Sequence, residues 1–209
     1  MIIVLIIATT LLTFVSWCLI SSKTWCYLLG SLSLITFVAS IYALTDHFVN
    51  HTGMALKTDT STQTIYSAAP NQNYYNLLLY SPIGKKATDT ILIYRDKASD
   101  KTASKHFVPD MKNPTEAIKI SSNFTYANVP LATLTTKKTH YTFTSKLAKL
   151  LYGFAKEDKE LISESNLVTL PQDNWIALTP EQNQSLGSEL ATITTSEQLT
   201  NLKKRLLTP

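Results

Sequence analysis

Two long uncharged stretches at the start of the chain constrain its fold more than any other feature. Residues 1–22 carry no charged side chain, and neither do residues 24–44, so Lys23 alone separates them. An α-helix of about 20 residues spans the roughly 30 Å hydrocarbon core of a bilayer. The sequence therefore predicts two antiparallel transmembrane helices joined by a tight turn, a helical hairpin over residues 1–45.

The remainder of the chain has a different composition. All 15 acidic side chains, and every Lys and Arg except Lys23, lie in residues 46–209. Residues 46–62 are polar and predict a juxtamembrane linker. Residues 63–209 are long enough for one compact domain with its own core. Both cysteines, Cys18 and Cys26, lie outside this domain, so it cannot contain a disulfide.

Short runs rich in β-branched and aromatic residues dominate the first part of the domain. Residues 74–80 and 90–95 flank the turn Ser81–Gly84 and a lysine pair, which is the pattern of a β-hairpin. Partial alternation of apolar and polar residues favours a mainly antiparallel sheet. The further predicted strands are 63–68, 117–121, 124–127, 131–136, 140–144, 167–170 and 175–178.

Helical patterns dominate the C-terminal part. Ser145 can cap a helix with one apolar stripe, which is expected to pack on the sheet. The residues of this stripe are Leu147, Leu150, Leu151 and Phe154. Thr179 and Pro180 provide the cap and the first-turn proline of another helix, and a last helix is predicted from Ser196 to Leu207. The predicted fold class is α+β: a transmembrane hairpin, one mainly antiparallel β domain, and C-terminal helices.

The composition of the two spans predicts that the hairpin anchors the chain in the membrane. Neither contains an acidic, histidine or arginine side chain, so the hairpin is not expected to carry protons or ions. Small residues such as Gly30, Ser33 and Ser40 indicate either a helix-packing face or hydroxyls bonded to their own helix. Basic short loops tend to remain cytoplasmic, so Lys23 places the chain termini and the domain outside the cell.

Few residues suggest a chemical site. His47 and His51 have the i, i+4 spacing of two metal ligands if the second helix continues, but only Asp46 accompanies them. Gly84-Lys85-Lys86 lacks the first glycine of a phosphate-binding loop. Nucleophile elbows and zinc-binding helices are also absent from the sequence. The sequence thus predicts no catalytic, cofactor-binding or metal-binding residue and no cofactor.

Basic and aromatic residues leave two interpretations open. Only Arg95 and Arg205 are arginines, which disfavours forked recognition of nucleic acid, so no nucleic-acid partner is predicted. Lys203-Lys204-Arg205 complements a helix dipole or, alternatively, attracts anionic lipid or wall polymer. The tyrosines and Trp175 are half-buried sheet residues or, alternatively, a carbohydrate-binding surface. These tyrosines are Tyr66, Tyr74, Tyr75, Tyr80, Tyr94, Tyr126, Tyr141 and Tyr152.

Three segments, together with the two uncharged stretches at the start of the chain, form a recognisable pattern. They are YNLLLYSPIGKKATDTILIYR, THYTFTSKLAKLLYGF and LPQDNWIALTPEQ. The chain resembles an uncharacterised domain-of-unknown-function family of small membrane proteins from lactic acid bacteria. The resemblance implies a bacterial plasma membrane and no glycosylation at Asn50, Asn123 or Asn183. It implies no activity, cofactor or site residue.

The expected function is that of a membrane-anchored, non-enzymatic domain. Its expected partners are the lipid bilayer and a larger membrane protein, such as a multi-pass transporter, because helices with small residues can pack against a larger bundle. A cell-envelope sensor or wall-polymer binding module is the alternative, and an enzyme comes third. The sequence does not predict an oligomeric state or a ligand.

Overall fold

The computed structural model describes residues 1–69, 74–84, 89–155 and 157–207. The helices are α1 (Ile2–Cys18), α2 (Lys23–Asn50), α3 (Pro114–Ala117), α4 (Lys146–Tyr152), α5 (Pro180–Ser185), α6 (Gly187–Leu190) and α7 (Ser196–Leu207). The strands are β1 (Met54–Thr64), β2 (Asn76–Ile83), β3 (Asp89–Tyr94), β4 (Ser104–His106), β5 (Ile120–Ala127), β6 (Thr133–Phe143), β7 (Leu161–Pro171) and β8 (Trp175–Leu178).

The chain divides into two compact units. The first, the helical unit, comprises Met1–Lys57 and His140–Glu160, and the second, the strand-rich unit, comprises Thr58–Thr139 and Leu161–Pro209. The sequence predicted residues 140–160 as part of the domain after the membrane. The chain instead returns to the helical unit with α4 and the 3-10 turn Gly153–Ala155 that follows it.

Most of the buried positions on α1 and α2 are small or hydroxyl-bearing residues. The buried positions recur at heptad spacing, which is the spacing of a left-handed helix pair. They are Ile2, Thr9 and Ser16 on α1 and Gly30, Ser33, Ser40 and His47 on α2. Thr13 Oγ1 and Ser33 Oγ lie 2.9 Å apart, whereas the Ser40 hydroxyl donates to the Thr36 carbonyl at 2.7 Å. Ser33 fits both interpretations of the small residues, because its hydroxyl also lies 3.0 Å from the Gly30 carbonyl, whereas Ser40 bonds within its own helix.

Gly30 permits a close approach of α1 to α2. A methyl group added at Gly30 would overlap the indole of Trp17 on α1. By length and composition α2 can cross a membrane, whereas α1 is apolar but shorter, with 17 residues. The first predicted span is therefore less well supported than the second.

The strand-rich unit is built on two four-stranded mixed sheets, with orders β1-β6-β7-β5 and β4-β3-β2-β8. The predicted hairpin is confirmed, since β2 pairs antiparallel with β3, although Lys85 and Lys86 of its loop lie outside the described residues. However, β2 also pairs parallel with β8, and β5 pairs parallel with β7. The prediction of a mainly antiparallel sheet missed these parallel pairs, because local patterns reveal adjacent hairpins but not partners far along the chain.

Consecutive residues of β2 point into two different cores. Leu78 packs between the sheets with Leu92 of β3 and Leu170 of β7. Leu77 faces the other way, where α6 and α7 contribute Leu190, Leu199 and Leu202 to a second core. The sheet that contains β2 is therefore covered on both faces, by the other sheet and by the C-terminal helices.

Several local predictions agree with the structure, and three do not. Ser145 caps α4, Thr179 forms a capping box on α5, and α7 has the predicted bounds. The predicted linker 46–62 is occupied by the end of α2 and most of β1. Residues 114–117 form α3, where the sequence predicted a strand beginning at residue 117. The apolar stripe of α4 does not pack on a sheet, because Leu147, Leu150 and Phe154 are exposed.

Candidate functional site

His47 is a fully buried histidine near the C-terminal end of α2 in the helical unit. Its ring stacks on Tyr152 of α4, with centroids 4.0 Å apart and planes inclined by 11°. Phe143, at the end of β6, lies nearly parallel at 6.2 Å. The aromatic rings exclude water from the imidazole, so its polar atoms need partners within the protein.

Each ring nitrogen of His47 faces an oxygen. Nδ1 lies 2.7 Å from the carbonyl oxygen of Thr52, and because a carbonyl can only accept, Nδ1 carries a hydrogen and donates it. Nε2 lies 3.1 Å from Oε2 of Glu157. This distance is short enough for a hydrogen bond, but the angles at the two atoms are not those of one. At this separation the two groups form an ion pair when the imidazole is protonated.

The contact between His47 and Glu157 requires a shared proton. An unprotonated Nε2 would direct its lone pair at a carboxylate oxygen, which is repulsive. The pair is therefore either imidazolium with carboxylate or imidazole with carboxylic acid. In both forms it ties the segment after α4 to α2 within the helical unit, and removal of one member leaves a buried polar group without its partner.

His51 does not join His47 in a metal site. Helix α2 ends at Asn50, and His51 adopts a left-handed conformation with φ of 53°. Its ring stacks on Tyr141 instead, at a centroid distance of 4.1 Å. Among the residues that the structure describes, no group of three or more His, Cys, Asp or Glu side chains is placed to hold a metal ion.

The strand-rich unit contains a cavity of about 330 Å³. Its lining residues are Ile83, Asp89, Phe107, Val108, Pro109, Asp110, Glu116, Ala117, Ile118, Ile120, Ser122 and Glu164. Beside it, the two sheets are joined by reciprocal bonds. The Ser122 hydroxyl donates to the Thr90 carbonyl at 2.5 Å, and the Thr90 hydroxyl donates to the Ser122 carbonyl at 3.1 Å. These buried bonds fix β5 against β3 where the cavity forms.

The cavity combines apolar walls with an excess of carboxylates. Glu116 pairs with Lys119 at 3.1 Å, and Glu164 pairs with Lys138 at 2.9 Å. Asp110 accepts hydrogen bonds from its own turn, and Asp89 stands where β3 begins. Among the residues that the structure describes, two basic side chains thus accompany four acidic ones. This lining suits an apolar ligand that carries a positive charge.

Sequence reasoning missed this cavity because its lining comes from separate segments of the chain. The end of β2, the start of β3, the segment between β4 and β5, and β7 each contribute residues. No single segment has a spacing that marks a site. The only local signal was the mixture of apolar and acidic residues in 107–118.

The basic triplet at the end of α7 is largely engaged within the strand-rich unit. Lys203 Nζ donates to the Gln172 carbonyl at 2.5 Å and lies 5.0 Å from the ring centre of Tyr126. Burial lowers the pKa of Lys203 and raises the pKa of Tyr126 to about 12. Arg205 pairs with Glu189. These contacts favour a local role for the triplet over attraction to an anionic polymer.

The predicted aromatic residues mostly belong to the cores. Tyr75, Tyr94, Tyr152 and Trp175 are buried, whereas Tyr74 is exposed. Buried rings cannot stack on a sugar. The sheet interpretation therefore accounts for Tyr94 and Trp175, whereas Tyr152 lies in α4 and Tyr75 just before β2. None of these four buried rings is available to a carbohydrate.

Comparison with known proteins identifies the family. A family model described as a domain of unknown function (DUF4811) matches residues 22–186, which is most of the chain. The match includes α2, the strands β1 to β8 and α5. The chain belongs to this family. Curated proteins and solved structures gave no match.

Proposed function

We propose that this member of the DUF4811 family is an integral membrane protein whose strand-rich unit is a non-enzymatic domain that binds a larger membrane protein. In this proposal α1 and α2 form a two-span transmembrane hairpin. The observation that supports the hairpin is the exposure of large apolar side chains along both helices. They include Phe14, Leu11 and Val4 on α1 and Ile35, Val38 and Leu32 on α2.

The length of α1 is compatible with this role. Its 17 residues correspond to about 26 Å, slightly less than the roughly 30 Å core. Bilayers accommodate a few ångströms of mismatch at modest cost. The hydroxyls of Thr9, Thr10 and Thr13 donate to carbonyls of their own helix, so these polar groups are satisfied without water.

The proposed setting is a bacterial plasma membrane with the strand-rich unit outside the cell. The support for this orientation is the single basic residue, Lys23, at the turn between the helices, since basic short loops tend to remain cytoplasmic. Both chain ends then lie on the outer side.

The cavity of the strand-rich unit supports binding as the function. Its carboxylate excess and apolar walls fit an extramembrane protein segment with a basic side chain between apolar ones. A multi-pass transporter is the class of partner that we propose. The wall-polymer alternative has less support, because the buried tyrosines and the engaged basic triplet leave little surface for a polymer.

Site-specific photo-cross-linking tests this proposal. Ile118 lines the cavity and is 84% exposed, so replacing it with p-benzoylphenylalanine should not disturb the fold. In membranes of the native host, we expect a cross-link to one multi-pass protein from position 118. Asp89→Asn in the same protein should lower the yield, because it removes a charge that the basic segment would meet.

Met111 provides the matched control. It lies in the same segment, is 87% exposed and does not line the cavity. The same cross-linker at Met111 should give little product. Equal products from both positions, or none from position 118, would contradict binding at the cavity, and attachment to wall polymer would favour the alternative function.

A further inference from the structure

Helix α4 leaves large apolar side chains uncovered on one side. Leu147 is 64% exposed, Leu150 is 56% exposed, and Phe154 in the following turn is 43% exposed. Ala148 and Tyr152, on a different side, are buried in a cluster with Ile2. The helix is therefore apolar on two sides, and the protein covers only one of them.

The covered side fixes α4 at one end of the helix pair. Ala43 and Leu44, near the end of α2, pack against the cluster that contains Ala148 and Tyr152. The same cluster includes Ile2 at the start of α1. In the proposed hairpin, this end of both helices is where the chain enters and leaves the bilayer, so α4 lies at the depth of the interface.

The uncovered side continues the outer apolar surface of α2. Phe48 on α2 is itself half exposed and meets Phe154 edge to face, with centroids 6.2 Å apart and planes at 82°. The neighbouring Val49 is also exposed. The surface that α2 would present to lipid thus extends through Phe48 and Phe154 onto α4.

The polar side chains of α4 are placed as in an interfacial helix. Lys149 is largely exposed and pairs with Asp158 at 2.7 Å. It follows Ala148 and does not share the side that carries Leu147 and Leu150, because successive residues are rotated by about 100°. Helices with an apolar face and lysines beside it lie in the plane of the membrane surface.

We propose that α4 is a second, interfacial anchor, with Leu147, Leu150 and Phe154 inserted among the lipids beside the end of α2. This inference rests on the proposed transmembrane hairpin and extends it. The occupant of the exposed face is lipid, because that face is continuous with the lipid-facing surface of α2. The chain would then be held at the bilayer twice. The first anchor is the pair α1 and α2, and the second is α4, which lies between β6 and β7 in the sequence.

Spin-label depth measurements on the full chain test the inference. The background carries Cys18→Ser and Cys26→Ser, and single labels are placed at Leu150→Cys, Lys149→Cys and Ile35→Cys. The protein is reconstituted into vesicles of phosphatidylcholine and phosphatidylglycerol. We expect the ratio of collisions with oxygen to collisions with a water-soluble nickel complex to be severalfold higher at position 150 than at position 149. Position 35, in the middle of α2, should give the highest ratio.

The three labels separate failure of this inference from failure of the proposed function. A low ratio at position 150 with a high ratio at position 35 would overturn the interfacial anchor and leave the hairpin intact. Low ratios at both positions would overturn the hairpin and the anchor together. Protection of position 150 from both reagents would also overturn the anchor, since a protein surface would then cover the helix.

Discussion

The variant His47→Ala is expected to lower the free energy of unfolding of the helical unit by about 3 kcal/mol. The imidazole is fully buried and is the partner of both the Thr52 carbonyl and Glu157 Oε2. Its loss leaves the Thr52 carbonyl without its donor, takes the imidazole away from Glu157 Oε2, and removes the ring that stacks on Tyr152. Urea titration of the full chain in mild detergent, followed by limited proteolysis at Lys149, measures the loss.

Two further variants identify the cause of the expected loss. His51→Asn should have a small effect, because asparagine tolerates the left-handed conformation that His51 adopts. The double variant His47→Leu with Glu157→Leu should recover much of the stability, since apolar residues often replace a buried polar pair without loss. Unchanged stability in His47→Ala, or a double variant as unstable as the single one, would contradict the role of this pair.

Arg95→Met should destabilise the strand-rich unit by about 3 kcal/mol. Arg95 is 7% exposed, at the end of β3. Its Nε donates to the Ser67 carbonyl at 2.5 Å, Nη1 to the backbone carbonyl of Asp100 at 3.1 Å, and Nη2 to the Ala69 carbonyl at 3.4 Å. Methionine fills similar space but leaves these carbonyls without their donor. The midpoint of urea unfolding, followed by near-ultraviolet circular dichroism, measures the difference.

The other arginine of the chain provides the comparison. Arg205 is 63% exposed in its side chain and pairs with Glu189, so Arg205→Met should cost no more than about 1 kcal/mol. Arg95→Lys should fall between the two, because an ammonium group cannot reproduce the planar fork of donors. Similar losses for Arg95→Met and Arg205→Met would show that burial of Arg95 does not govern its contribution.

The predictable parts of the fold depend on local signals. The hydroxyl of Ser145 accepts from the Ala148 amide, and Thr179 and Gln182 form a reciprocal capping box. Both motifs lie within four residues of sequence, so the sequence alone reveals them. The β2–β3 hairpin was found for the same reason, because its strands are adjacent in the chain.

The strand β1 was missed because it lacks an apolar face. All its residues between Leu56 and Gln63 are exposed, and the strand lies at the edge of its sheet. Its contacts include threonine pairs across to β6, Thr58 with Thr139 and Thr62 with Thr135. Such polar pairs stabilise a strand without alternation of hydrophobicity, so the segment has the composition of a linker.

The candidate sites were missed because they depend on tertiary structure. His47 was singled out from its spacing to His51, but its partner is Glu157, which lies far along the chain. The stripe of α4 has the spacing of a helix that packs on a core, and the sequence does not reveal whether protein or lipid covers it. In both cases local spacing identified the residue but not its surroundings.

Cysteine accessibility tests the central claim, the two-span hairpin with the strand-rich unit outside the cell, most directly. Single cysteines replace Lys23, at the turn, and Lys101, in the strand-rich unit, in the background without Cys18 and Cys26. A membrane-impermeant maleimide should label position 101 in intact cells and position 23 only after the membrane is opened. Labelling of both positions in intact cells, or release of the protein from membranes by alkaline carbonate, would contradict the hairpin. Labelling of position 23 alone would contradict the orientation.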